Sequence, residues 1–402
     1  MPSGFPKRLD GVDPASVAMN IAATDRSRPP LDVLVLLGCF GRGIEATGPN
    51  QSMLGMANAL EGEVRFRIVA EAVPGDEIGA WQTVKGLPQL PLGPGAAGIT
   101  ALRRALRSTP HDLLISNGFF DRRMTLPMLA MRRLGLVPRK PTLVAPRGEF
   151  SPGAFALGKA KKEAYVRFVQ HAGLLRGVTL QATGPQEAEH IGAVLGPDQP
   201  VVITPNLRRI EPLPPVPFIP DAKLRIVFAS RIDRKKNLHV ALEQAARADL
   251  PVRFDIFGPV SDAGYWEEVQ ATMAALPDRV EAHYCGVLSQ ADLAPTLARY
   301  DLMMLPTLGE NFGHSIADAL LAGVPVVLSD QTPWRDLEQA GVGWDRPLTP
   351  ASGFADALRS YAALSDTDKL AMRRRARAFA EAALGSAEEM QAVRAALWQA
   401  AG

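Results

Sequence analysis

The chain reads as an α/β protein made of two doubly wound domains in tandem, and three observations predict it. From Leu31 onward, apolar runs of strand length alternate with helix-length segments, the pattern of parallel sheets covered by helices. The stretch EPLPPVPFIPD, residues 211–221, interrupts the alternation, and its five prolines forbid helix and make a stiff, extended connector. A length of 402 residues at 47% apolar content exceeds one typical core and suffices for two.

In order, the predicted strands of the first domain are DVLVLLG (32–38), RFRIVA (65–70), HDLLIS (111–116), PTLVAP (141–146), GVTLQAT (177–183) and PVVITP (200–205). Those of the second are LRIVFAS (224–230), VRFDIFG (252–258), VEAHYCG (280–286), DLMMLPT (301–307) and VPVVLSD (324–330). Each feeds a helical segment, and residues 366–401 are Ala-rich, charged and helical in period. Residues 1–30, polar with scattered Pro and Ser, are expected to be a poorly ordered extension, followed by domains at 31–205 and 206–384. Two such domains leave a cleft between the C-terminal edges of their sheets, where ligands of open α/β sheets bind.

The net charge of +2 hides an asymmetry. Residues 1–210 hold 25 Lys+Arg against 17 Asp+Glu, the remainder 19 against 25. The basic excess lies in ALRRALRS (101–108), DRRM (121–124), MRRLGLVPRK (131–140) and GKAKKEAYVRF (158–168). Two readings are open: ordinary solvated helix faces, or surfaces resting on an anionic bilayer at the inner face of the cell membrane. No nucleic-acid partner is expected, since the bases come without aromatic interleaving or a known motif. Cys39 and Cys285 show no CxxC or metal-like spacing and read as buried small apolar residues in a reducing compartment. With no apolar run of 18 residues and no hydrophobic signal core, a soluble, cytoplasmic protein is expected. His111, His171, His190, His239 and His283 form no HExxH or paired spacing, so no metal site is expected.

The most informative segment is LMMLPTLGENFGHSIADALLAGVPVVLSDQTPW, residues 302–334. It reads as strand, polar turn 307–311, a helix opening at Phe312 or Gly313 and closing at Gly323, then a second strand. A helix start beyond a strand end presents unpaired N–H groups and a positive dipole end, which suits a pyrophosphate. Asn311, Phe312, Gly313, His314 and Ser315 are the candidate contacts there. Glu310 in the turn and Asp318 in the helix lie eight positions apart, about 12 Å if all of it were helical, too far to share one atom but suited to an extended ligand. After strand 224–230, Arg231 and Lys236 leave the sheet edge, two cations able to neutralise charge developing on a leaving phosphate. Arg234 and Lys235 are expected to face solvent.

These residues together resemble the C-terminal signature of the retaining glycosyltransferases of family 4, which have the two-domain GT-B fold and carry Glu, seven residues, Glu. Here the second Glu is Asp318, one methylene and about 1.5 Å shorter. Arg231 and Lys236 match the family's Arg, four residues, Lys without a gap. Phe257-Gly258-Pro259 resembles its glycine turn beneath the nucleotide, and Tyr284 to Leu288, with Val287, the loop that contacts the base. Gly38 to Pro49 resembles its glycine-rich loop at the donor phosphates, with Gly48 the chosen contact; no GxGxxG spacing follows that strand, which argues against a nicotinamide dinucleotide site. Pro146-Arg147-Gly148-Glu149 stands where many relatives have His-Gly, and Asn206 where they have Pro-Asn-Gly, with Leu207 replacing the Gly. A guanidinium cannot serve as general base, so Arg147 would bind phosphate or hold the acceptor, with Glu149 and Asn117 bonding acceptor hydroxyls.

The resemblance implies a hexosyl transfer from a UDP- or GDP-linked sugar, a substrate rather than a cofactor, to a saccharide or lipid-linked saccharide hydroxyl in bacterial polysaccharide or glycolipid assembly. Glu310, Arg231 and Lys236 would be catalytic, and the last helix, 385–402, would cross back to the first domain. A GT-B-fold epimerase or phosphorylase, or a binding-only protein, are the alternatives; the former needs an acid/base carboxylate pair or a pyridoxal lysine, and neither is placed by the sequence.

Overall fold

A computed structural model describes residues 29–40, 48–207, 221–384 and 386–402. The expected N-terminal extension up to residue 28, most of the glycine-rich loop (41–47) and most of the proline-rich connector (208–220) lie outside the described residues.

The first sheet has eight strands: β1 (Leu31–Cys39), β2 (Val64–Glu71), β3 (Gln82–Val84), β4 (Leu87–Leu92), β5 (Leu113–Asn117), β6 (Thr142–Ala145), β7 (Thr179–Ala182) and β8 (Val201–Ile203). Their order is β3-β4-β2-β1-β5-β6-β7-β8, with only β3 against β4 antiparallel. The second has six strands: β9 (Leu224–Ala229), β10 (Val252–Phe257), β11 (Val280–Tyr284), β12 (Leu302–Leu305), β13 (Val326–Ser329) and β14 (Gly343–Arg346), in the order β11-β10-β9-β12-β13-β14, all parallel. Val33 to Leu36 and Ile226 to Phe228 have no exposed surface, which is why these strands are continuous apolar runs rather than alternating ones.

Helices cover the first sheet as α1 (Gly48–Ala59), α2 (Gly95–Ser108), α3 (Thr125–Arg133), α4 (Pro152–Ala156), α5 (Lys159–His171) and α6 (Pro185–Leu195). Those of the second are α7 (Leu238–Arg247), α8 (Ala263–Ala274), α9 (Gln290–Leu297), α10 (His314–Leu321), α11 (Ser352–Ala362) and α12 (Asp366–Ala383). The last helix, α13 (Ala387–Ala401), returns to the first sheet: Val393 and Leu397 are buried in its core beside Val33 and Leu113, and Arg394 grips Glu63 through two contacts of 2.5 and 2.6 Å.

Three strands had no sequence prediction. β3 and β4 are concealed by Pro88 and Pro91, both tolerated because β4 is paired on one side only at each: Pro88 lies opposite Thr83 before the register with β2 begins, and Pro91 opposite Ala70 after the register with β3 ends. β14 opens on Gly343, where a Cβ would stand 2.1 Å from the Val326 carbonyl oxygen. The continuous helical period of 366–401 is broken before Ser386, whose side chain caps α13 by accepting the Glu389 N–H at 3.0 Å. Cys39 and Cys285 are both exposed free thiols, not the buried residues expected, because Cys39 is the last residue of β1 and Cys285 lies just past β11, where each strand leaves its sheet.

Candidate active site

In each sheet the strand order reverses at one place, β1 between β2 and β5, and β9 between β10 and β12. Such reversals open a crevice at the strands' carboxyl ends. Since β9 and β12 are neighbours, with Leu302 opposite Ile226, the loops that follow them are forced together. This is how residues 74 positions apart meet: Lys236 Nζ contacts Glu310 Oε1 in an ion pair whose side chains are each only 10% exposed. The two loops are also sewn through the backbone, Leu308 N–H donating to the Lys235 carbonyl at 2.8 Å and the Thr307 hydroxyl to the same oxygen at 3.1 Å. Asp233 caps the short turn 234–236 by accepting the Lys236 N–H at 3.2 Å. Burial alone would raise the Glu310 carboxyl, but Lys236 and Lys235 outweigh it and hold the group below its ordinary range.

Arg231 is exposed at the mouth of this site, 3.7 Å from Asp233. Arg234 is exposed, as expected, but the expectation that Lys235 faces solvent is corrected by the structure. Arg234 lies over the Tyr265 ring, 5.4 Å from its centroid, and donates to Glu268 at 2.9 Å. Lys235 is half-buried and lines the cleft, its ammonium pushed down by burial.

The helix start behaves as a crossing point between the domains. Gly313 adopts φ +79°, and a Cβ there would come 2.6 Å from Ile316 Cδ1, so glycine is required for conformation and space alike. His314 Nε2 lies 3.0 Å from Ser52 Oγ on α1, and its ring packs against Phe312 at 4.7 Å. A Cβ on Gly48 would touch His314 Cδ2 at 3.4 Å, so Gly48, Phe312 and His314 form one cluster. Ser315 follows as the second residue of α10. Asn311 lies 2.9 Å from the Thr183 hydroxyl of the first domain and directly beneath Gly148, where a Cβ would be 2.9 Å from Asn311 Cβ. Asp318 is buried, 5% exposed, rather than a solvated helix residue. Gly258 has φ +143° and would place a Cβ 1.9 Å from the Ser230 carbonyl oxygen; its N–H donates to the Gly286 carbonyl at 2.8 Å, joining the expected glycine turn to the loop 284–288, with Val287 exposed on the latter.

On the first domain's side, Arg147 Nε donates to Asn117 Oδ1 at 2.8 Å and Nη1 to Asn206 Oδ1 at 2.9 Å, gathering three sequence-predicted residues from separate strand ends. Arg147 itself sits at φ +53°. Glu149 accepts the Phe119 N–H at 2.6 Å and the Phe120 N–H at 3.3 Å, and burial pushes its carboxyl up to about 7. A cavity of about 460 Å³ separates the two walls, with Arg147, Glu149 and Lys162 on one side and Arg231, Asp233, Arg234 and Lys235 on the other.

Sequence reasoning missed Glu187 and Thr183. The Glu187 carboxylate accepts the Gly148 N–H at 2.6 Å, the Thr183 N–H at 2.8 Å and the Thr183 hydroxyl at 2.8 Å, so it holds the whole segment that meets Asn311. The available signal was a Glu in the first turn of a helix opening on Pro185, which marks a cap but not a tertiary contact. Among the described residues there is no cluster of three or more His, Cys, Asp or Glu able to hold a metal, and no helix long and apolar enough to cross a membrane.

Two facing doubly wound domains with a helix returning from the chain end define the GT-B fold, and solved structures share it. Sucrose-phosphate synthase from Thermosynechococcus elongatus superposes with TM-score 0.70 at 16% identity, covering 92% of this chain and 98% of that one. Anabaena HepE in complex with UDP-glucose does so with TM-score 0.65 at 15% identity, covering 92% and 100%. Residues 223–363 match the family described as Glycosyl transferases group 1. A D-inositol 3-phosphate glycosyltransferase of an Arthrobacter species is 31% identical over 114 residues. The protein named as colanic acid biosynthesis glycosyltransferase WcaL of Escherichia coli is 30% identical over 165 residues. These alignments cover 27% and 38% of this chain and only 27% and 39% of those relatives' lengths.

Proposed function

We propose that the protein is a retaining glycosyltransferase of family 4 type, moving a hexosyl residue from a UDP- or GDP-sugar to a hydroxyl acceptor in polysaccharide or glycolipid assembly. The observation that carries this reading is the buried Lys236–Glu310 pair beside the start of α10 in the interdomain cleft. A bound donor would lay its diphosphate against Arg231, Lys235 and the amides of 313–315, with Lys236 holding Glu310 in place to accept hydrogen bonds from the sugar's hydroxyls. Asp318 would take the ribose.

No carboxylate is assigned as a nucleophile, so retention is expected by attack on the face the leaving group departs from. The acceptor oxygen forms its bond to the anomeric carbon as the bond to the β-phosphate oxygen breaks, and the acceptor's proton passes to that leaving oxygen. The products are a glycoside and a nucleoside diphosphate, and no metal is needed where fixed cations meet the developing charge. The relatives' names support the donor and pathway class: one structure holds UDP-glucose, and one relative is named for colanic acid biosynthesis.

Incubation of the pure protein with a panel of UDP- and GDP-sugars and saccharide acceptors tests the reading. Acceptor-dependent release of nucleoside diphosphate, with the anomeric configuration of the donor kept in the product, is the expected result. Nucleotide binding without release would favour the binding-only alternative, and interconversion of the sugar without an acceptor an epimerase.

A peripheral membrane location is part of the proposal. Leu134 and Leu136 beyond α3, 71% and 39% exposed, and Phe168 on α5, 56% exposed, stand among Arg132, Arg133, Arg139, Lys140 and Arg167. The end of α3 is joined to the segment that follows α5 by Arg132, which donates to the Arg176 and Gly177 carbonyl oxygens at 2.7 and 2.6 Å. Exposed apolar side chains within a basic field suit the surface of an anionic bilayer.

A further inference from the structure

The charges around the 460 Å³ cavity do not balance: Arg147 and Lys162 stand with Glu149 on the first domain's wall, and Arg231, Arg234 and Lys235 with Asp233 and Asp262 on the second's. Of the carboxylates that line it, Asp233 caps the 234–236 turn and faces Arg231, while Asp262 caps α8 by accepting the Tyr265 N–H at 3.0 Å and lies 3.8 Å from Arg234. Arg147, Lys162 and Lys235 are all half-buried, yet among the described residues no carboxylate oxygen comes within 4.0 Å of any of them. Burial pushes all three down, and the attraction of Glu187 on Arg147, of Glu149 on Lys162 and of Glu310 on Lys235 does not offset it.

A donor's diphosphate, on the reading above, answers Arg231 and Lys235 on the second domain's wall. It leaves Arg147 and Lys162 opposite. The Arg147 guanidinium spends Nε and one Nη1 hydrogen on two neutral amides, so Nη2 keeps both N–H groups in a fork suited to a tetrahedral oxyanion. Lys162 is held in position by its contact with the Ala154 carbonyl and by the Phe120 ring, 5.4 Å below the ammonium.

We propose that Arg147 and Lys162 form a second anion subsite, filled by a phosphate that the acceptor carries, so that the hydroxyl receiving the sugar belongs to a phosphorylated molecule. The inference rests on the donor reading and adds the acceptor's chemical class to it. Glu149 shares this wall, but burial raises its carboxyl to about 7, so an arriving phosphate meets a partly protonated acid rather than a fixed negative charge. Phosphate is favoured over carboxylate because two cations from different directions match three oxygens better than two.

Calorimetric titration tests this, with inorganic phosphate added to protein already saturated with UDP or GDP. Phosphate should bind to the nucleotide-loaded protein. Lys162→Gln should weaken phosphate about tenfold, the loss of one charged hydrogen bond, with nucleotide affinity unchanged, and Lys162→Arg should restore it. Glucose 1-phosphate and phosphatidylcholine vesicles carrying a polyprenyl phosphate are then offered as competitors: displacement by the first marks a soluble acceptor, by the second a lipid-linked one. Failure of phosphate to bind while the nucleotide binds normally overturns the subsite alone. Displacement by neither competitor, or by acetate as readily as by either, overturns it too. Absence of nucleotide binding removes the donor reading, and the subsite with it.

Discussion

Removing the Glu310 carboxylate strands the Lys236 ammonium in a site where each side chain is only 10% exposed, so on the proposed function this pair would couple stability to turnover. Glu310→Ala or Lys236→Ala should lower turnover by about 100-fold or more and also cost about 3 kcal/mol of stability. Glu310→Gln, which keeps size and some hydrogen bonding, should lose the turnover with a smaller fall in Tm; normal activity in either would remove the site assignment. The pair also sets a pH dependence. The folded Glu310 carboxyl lies below its ordinary 4.5, so its contribution is present above that pH and is lost as pH falls through the depressed value. Glu149 behaves oppositely. Raised to about 7 from 4.5, it stabilises the fold most below 4.5, and the contribution fades as pH rises through 7. Denaturant melts from pH 4.5 to 8 should show a decline of about 3 kcal/mol from this group, absent in Glu149→Gln. An identical slope in the variant would show that Glu149 does not titrate in this range.

At the scale of elements, the turns after β9 and β10 are packed backbone to backbone. A methyl group on Gly258 would collide with the Ser230 carbonyl at 1.9 Å and force an L-residue to φ +143°. Gly258→Ala should therefore cost at least about 2 kcal/mol and lower affinity for nucleotide, since the displaced strand end carries Arg231; a Tm within a degree of the parent would contradict this. The α3 and α5 ends make a separate prediction. Co-sedimentation with vesicles should rise with their anionic lipid content and fall with salt. Replacing Leu134 and Phe168 together by Ser should abolish it while leaving nucleotide binding intact. Equal sedimentation with neutral vesicles would count against an electrostatic membrane contact.

At the scale of the molecule, the contact between the domains depends on small residues. A Cβ on Gly153 of α4 would stand 2.2 Å from the Leu308 carbonyl oxygen, and Gly309 packs beside Ser151, so the first domain rests on the very turn that bears Glu310. Gly153→Ala has no helix-propensity penalty to explain a loss. It should hold the domains apart, lower kcat/KM about tenfold and leave Tm nearly unchanged; small-angle scattering with saturating donor should show a larger radius of gyration than the parent. Unaltered kinetics would mean that the contact is not part of the active arrangement.

Much of this was written along the chain. Strand runs such as 32–38 and 224–230 are legible because a strand buried on both faces must be apolar throughout, and Gly313 announces a turn because few other residues tolerate its backbone. The loops bearing Arg231–Lys236 and Glu310 meet because β9 and β12, though distant in the chain, are neighbours in the sheet. What the sequence could not determine was which cation would reach which partner. Lys235 and Lys236 are adjacent in the chain, yet one pairs with Glu310 and the other lines the cavity, and that choice follows from the hydrogen bonds binding 307–308 to Lys235. The tie of Glu187 to Gly148 was invisible for the same reason, since Gly148 follows another strand, whereas its bonds to Thr183 lie four residues away in the chain. Local pattern specifies which elements form, because propensity and burial act over a few residues. Packing of distant strand ends alone decides which side chains meet, because Coulomb and hydrogen-bond energies depend on distances in space and not along the chain.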